Sequence, residues 1–112
     1  MRLLHAAIAG LLGLAGALAA QAQPAPAAEQ LARKNSCMAC HGMVHKQVGP
    51  GFAEIARRYR NDAALAPQLA AKIRNGSVGT WGRIIMPRQP QLSEADALVL
   101  ARWVLGQPPP PP

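Results

Sequence analysis

Two thiols and an imidazole stand together in the run Cys37-Met38-Ala39-Cys40-His41. On a helical turn, residues i, i+3 and i+4 share one face, so Cys37, Cys40 and His41 point the same way. Thiols so placed add to the two vinyl groups on one edge of a heme while the imidazole reaches the iron, and C-x-x-C-H is the attachment signature of a c-type heme. Other uses of the pair match less well. A thiol–disulfide redox motif expects a strand–helix frame of thioredoxin type, and the chain shows none. A structural zinc needs two more ligands at matching spacing, and only His45 is near. Thiols three positions apart close no long loop, which excludes a disulfide framework.

A second axial ligand follows by elimination. Apart from His5 in the apolar N-terminal run, the histidines are His41 and His45. His45 is four residues past the first ligand, too close to pass round the ring. Met38 lies inside the attachment turn and Met43 two residues beyond it. Met86 alone is far enough along the chain to approach from the opposite side. It sits in Ile85-Met86-Pro87, where Pro87 removes a backbone donor and stiffens the segment. Methionine commonly fills core gaps, but it is also an established heme ligand. With both axial positions taken by protein, nothing is left for oxygen, peroxide or nitrite. That points to outer-sphere electron transfer and away from catalysis.

The rest of the chain must position these groups. Arg2 followed by the apolar run Ala6 to Ala20 and the small-x-small motif Ala20-Gln21-Ala22 predicts a secretory leader over residues 1–22, cleaved after Ala22. An uncleaved membrane anchor is the competing reading, and the run is too short and too rich in Ala and Gly to favour it. Residues 23–106 then form one small domain, and Gln107 to Pro112 a Pro-rich, disordered tail. A domain this small buries little surface and needs a staple or a cofactor to complete its core. Its aromatic residues are only Phe52, Tyr59, Trp81 and Trp103.

Four helices are predicted. The first starts near Pro26 and runs through Leu31 toward Ser36, since Pro suits a first turn. Phe52, Ile55, Ala56 and Tyr59 form one face of a second. Pro67 opens a third, with Leu69 and Ile73 inward and Gly76 as its stop. Ser93 and Asp96 cap a fourth that carries Leu98, Val99, Ala101, Trp103 and Leu105 and ends at Gly106. Ser77 to Gln91 reads as a long functional loop, and no stretch alternates long enough to be a sheet strand.

The chain has 12 Lys and Arg against 5 Asp and Glu, a formal net charge of +7. Losing Arg2 with the leader leaves +6. Such a surface favours acidic partners and salt-sensitive association. Nucleic acid is not the partner read here, because no basic stripe with interleaved aromatics or known module is present.

Taken together, Cys37-Met38-Ala39-Cys40-His41, Lys46-Gln47-Val48-Gly49-Pro50, Asn75-Gly76-Ser77-Val78-Gly79-Thr80-Trp81-Gly82 and Met86-Pro87 resemble the short bacterial class I cytochromes c. The likeness is strongest to the small periplasmic subgroup that serves nitrite reductases and oxidases in denitrifying bacteria, and it covers nearly all of Gln30 to Gly106. It implies an all-α fold, the small cytochrome c fold of about four helices around one covalently attached heme c. By the same resemblance Cys37 and Cys40 form thioethers and His41 and Met86 bind the iron. The carbonyl of Pro50 accepts the Nδ1–H of His41, the indole of Trp81 bonds a heme propionate, and Lys72 stands near the propionates. Gln89 departs from the pattern: relatives often carry Asn there, beside the methionine sulfur.

The function implied is a periplasmic, single-heme electron carrier, not an enzyme and not stably inserted in a membrane once the leader is gone. Its partners would be redox proteins with acidic docking surfaces, such as quinol–cytochrome c reductase, a terminal oxidase or a nitrite reductase. Lys34, Lys46, Lys72, Arg83 and Arg88 are candidates to steer them to the edge near Cys37 and Cys40. Two other classes stay open: a heme subunit docked permanently to one enzyme, with the Pro tail as tether, and a heme catalyst or gas sensor with a labile sixth ligand.

Overall fold

The computed structural model describes residues 25–112. The predicted leader, residues 1–22, lies outside them. Within the described residues the chain forms four α-helices and one short hairpin: α1 (Ala25–Lys34), α2 (Phe52–Arg58), α3 (Ala66–Asn75), β1 (Ser77–Gly79), β2 (Gly82–Met86) and α4 (Glu94–Leu105). Single 3-10 turns cover Cys37–Ala39 and Ala63–Leu65.

Helix α1 begins with Pro26 in its first turn and carries the ion pair Arg33–Glu29 at 2.6 Å on its exposed face. It stops at Lys34, short of Ser36, because Ser36 takes a left-handed conformation at φ 58° and turns the chain away. Pro67 lies at the start of α3, which ends at Gly76 as predicted. For α4 the cap is built as the sequence requires: the Oγ of Ser93 accepts the N–H of Asp96 at 3.0 Å. Gly106 follows the last turn, its N–H donating to the carbonyl of Arg102 at 3.0 Å. A distant side chain finishes that end. The Nδ2 of Asn61 donates to the carbonyls of Leu105 at 2.7 Å and Gln107 at 2.9 Å.

Helix α4 is the hub, packed on α1, α2 and α3. Its buried stripe is Ala97, Leu100, Ala101, Val104 and Leu105. One core cluster joins Ala97, Ala101, Val104 and Leu105 to Phe52, Ala66, Leu69 and Ala70, and a second joins Leu100 to Ala32 and Leu92. Alanines dominate the buried set, and Ala32, Ala56, Ala97 and Ala101 are wholly inaccessible. Such small side chains let helices approach closely but supply little apolar volume. The fold is framed by its helices and left incomplete at one side.

The segment from Ser77 to Met86 corrects the sequence reading. It is a two-stranded antiparallel hairpin, with Ser77 opposite Met86 and Gly79 opposite Gly82. The three residues of β1 thus lie opposite the five of β2, a bulged register. Its apolar residues do not alternate. Val78, Ile84 and Ile85 are 64 %, 55 % and 69 % exposed, so no period of two betrays the strands.

Candidate functional site

The attachment turn starts where Ser36 reverses the chain. The N–H groups of Cys40 and His41 both donate to the carbonyl of Cys37, at 3.2 and 3.0 Å. This is a tight 3-10 turn running into one α-type bond, and it places both sulfurs and the imidazole on one cavity wall as the spacing predicts. The following loop then folds back. Val48 and Gly49 donate to the carbonyl of Cys40 at 3.1 and 2.7 Å, while Phe52 and Ala53 donate to Gly42 and Met43, each at 2.9 Å.

That return brings the carbonyl of Pro50 to within 2.6 Å of His41 Nδ1. A carbonyl only accepts, so in the neutral ring the proton sits on Nδ1 and the lone pair is left on Nε2. Phe52 stacks on the imidazole with centroids 5.0 Å apart and planes 19° from parallel, and Trp103 meets Phe52 edge-on at 5.1 Å. A Cβ on Gly49 would stand 3.0 Å from Cε1 of His41, so a larger residue there would press on the ring. Burial pushes the Cys37 thiol up from its ordinary range, with a smaller push from Cys40 and a backbone hydrogen bond acting the other way. Before heme is attached, that holds the sulfur in its uncharged form, as suits an apolar wall.

One cavity of about 560 Å³ gathers all seven predicted site residues: Cys37, Cys40, His41, Pro50, Lys72, Trp81 and Met86. Neither Met38 nor Met43 lines it; both pack on the helical core. His45 does not line it either. The cavity walls are apolar, with Ile55, Leu69 and Ile73 among them. Val48, Val78, Ile84 and Ile85, four of the most exposed large apolar side chains, line the same space. Exposed apolar groups gathered on one concavity call for a large apolar occupant, and a flat heme attached through Cys37 and Cys40 fits that demand.

Polar side chains also line the cavity, Lys72, Thr80 and Arg58 among them. Lys72 Nζ donates to Thr80 Oγ1 at 3.3 Å. Arg58, which no motif singled out, donates to the Thr80 carbonyl at 2.7 Å and lies 4.5 Å from the centre of the Trp81 ring. In the sequence it reads only as part of the basic pair Arg57-Arg58, and no spacing rule separates that from a solvated helix end. The Gln89 side chain is engaged elsewhere: its Nε2 donates to the Pro87 carbonyl at 3.3 Å and its Oε1 accepts from Gln91 at 2.8 Å.

Comparison with known proteins agrees with this geometry. Residues 25–107 match the family model for cytochrome c. Cytochrome c-552 of Nitrosomonas europaea is 47 % identical over 81 residues, covering 72 % of this chain and 79 % of that protein. Cytochrome c-551 of Azotobacter vinelandii is 47 % identical over 77 residues, 69 % of this chain and 93 % of that one. The crystal structure of wild-type Nitrosomonas europaea cytochrome c552 superposes with a TM-score of 0.65, covering 69 % of this chain and 95 % of its own. The four helices, the paired thiols of Cys37 and Cys40 and these likenesses converge: the chain belongs to the cytochrome c family, as a class I c-type cytochrome with one covalently bound heme c.

Proposed function

We propose that this protein is an exported carrier of single electrons whose heme iron is held between Nε2 of His41 and the sulfur of Met86. The observation that carries the reading is the 2.6 Å approach of His41 Nδ1 to the Pro50 carbonyl, because it commits the other ring nitrogen to act as a donor toward the cavity that Met86 also lines.

Bound heme supplies a one-electron ferric/ferrous couple. The chain's own groups set how it works. Pro50 holds the imidazole tautomer and raises its basicity. Phe52 and Gly49 fix the ring plane. A thioether sulfur from Met86 is a soft donor that favours ferrous iron and raises the potential. The apolar walls formed by Ile55, Leu69 and Ile73 act in the same direction, since burial disfavours the extra positive charge of the ferric state. Protein ligands on both sides exclude exchangeable ones, which favours electron transfer over ligand chemistry.

Exposed cations surround the site: Lys46 and Arg58 line the cavity, and Arg83 follows the hairpin turn. They suit redox partners with acidic docking faces, met by steered and salt-sensitive association. Export rests on the predicted leader over residues 1–22; no helix among the described residues is long and apolar enough to cross a membrane.

Absorption spectra of the oxidised and reduced protein, purified from a host able to attach heme, test the reading. Low-spin spectra in both states, with carbon monoxide failing to bind the reduced form at neutral pH, are expected. Carbon monoxide binding to the native ferrous protein would overturn it and return Met86 to the core.

A further inference from the structure

The hairpin that ends in Met86 is poorly held by its own structure. A two-stranded ribbon is marginal in water, and this one makes no extensive contact with any helix. Its turn is also of the wrong kind to hold it. Two-residue hairpin loops favour primed turns with positive φ at a central residue. Here neither Thr80 nor Trp81 has positive φ; the left-handed conformations fall on the flanking glycines, Gly79 at 92° and Gly82 at 94°. Something outside the hairpin must fix its tip.

Two cations reach it. Lys72 on α3 bonds the Thr80 hydroxyl at 3.3 Å. Arg58, the last residue of α2, does more: one guanidinium nitrogen bonds the Thr80 carbonyl at 2.7 Å while the plane covers the Trp81 ring at 4.5 Å. Among the described residues neither cation pairs with a carboxylate; the ion pairs there are Arg33–Glu29 and Arg74–Glu94.

We propose that Arg58 is a positioning residue that clamps the hairpin tip to α2, holding Trp81 at the cavity rim and keeping the Met86 strand closed over the heme. The planar fork of arginine suits both tasks together, a directed bond to a carbonyl and a stack on an aromatic face. Stacking uses the face of the indole and leaves its N–H free for an acceptor in the cavity. Lysine at this position would keep the charge but not the fork.

The imidazole-binding arm of the test rests on Met86 as iron ligand; the exchange arm does not. Holoprotein carrying Arg58→Gln, Arg58→Lys or, as a charge control on a distant helix face, Arg102→Gln is compared with the parent. Amide hydrogen exchange at Thr80, Trp81 and Gly82 should speed up about tenfold in Arg58→Gln, and the affinity of the ferric heme for added imidazole should rise by a similar factor. Arg58→Lys should recover only part of each effect, and Arg102→Gln should match the parent. In the double variant Arg58→Gln with Trp81→Leu, the exchange effects should not add. Unchanged tip exchange in Arg58→Gln, or full recovery by lysine, would refute the clamp. Faster tip exchange with unchanged imidazole affinity would keep the clamp and break its link to the sixth ligand, and Met86→Ala then shows whether Met86 ligation is at fault.

Discussion

The two walls of the heme site are built to different standards. The wall from Cys37 to Phe52 is knitted by backbone: Val48 and Gly49 bond back to Cys40, Phe52 and Ala53 bond back to Gly42 and Met43, and Phe52 is buried against α4 residues and Trp103. The wall from Ser77 to Met86 is a bulged ribbon with exposed isoleucines, tied to the helices at its tip by the side chains of Arg58 and Lys72. At its far end the N–H of Gln89 donates to the Arg74 carbonyl at 3.0 Å. One half of the site is thus fixed by main-chain bonds and the other by side chains reaching from α2 and α3. The first wall is held by main-chain bonds, while the second carries Val78, Ile84 and Ile85 along the cavity that suits the heme.

Several substitutions can break this contrast. The largest effect belongs to Cys37→Ala with Cys40→Ala: heme should be lost from the chain under denaturing electrophoresis, and a heme-stained band of parental strength would contradict thioether attachment. Next is Met86→Ala, which should open the iron to added ligands and lower the midpoint potential while leaving far-ultraviolet circular dichroism almost unchanged, because the helical frame does not use that side chain. Gly49→Ala strikes the rigid wall instead. Its Cβ would press on the imidazole at 3.0 Å, and crowding of this kind costs about 1–3 kcal/mol, read as a lower denaturation midpoint of the holoprotein together with a shifted spectrum. Val48 and Gly49 amides should meanwhile exchange far more slowly than the Ile84 amide in the parent; similar protection on both walls would erase the contrast. The smallest effect is expected of Ser93→Ala, which removes the α4 cap and costs about 1 kcal/mol, equally for both walls because α4 backs the frame, measured by urea denaturation.

The sequence by itself determined the chemistry and the frame. Cys37, Cys40 and His41 are read from local spacing, because a turn of backbone places them without help from distant residues. The caps at Ser93 and Gly106 and the openings at Pro26 and Pro67 are equally local, and the helices observed follow them. Elimination singles out Met86 as the candidate second ligand because the chain has so few methionines and histidines. Tertiary structure decided what depends on partners far along the chain. The hairpin escaped sequence reading because its apolar residues face a cofactor cavity instead of alternating across a sheet. Arg58 escaped because its partners, Thr80 and Trp81, lie 22 and 23 positions away. A charge at a helix end looks alike in sequence whether water or an indole receives it, and only the folded chain shows which.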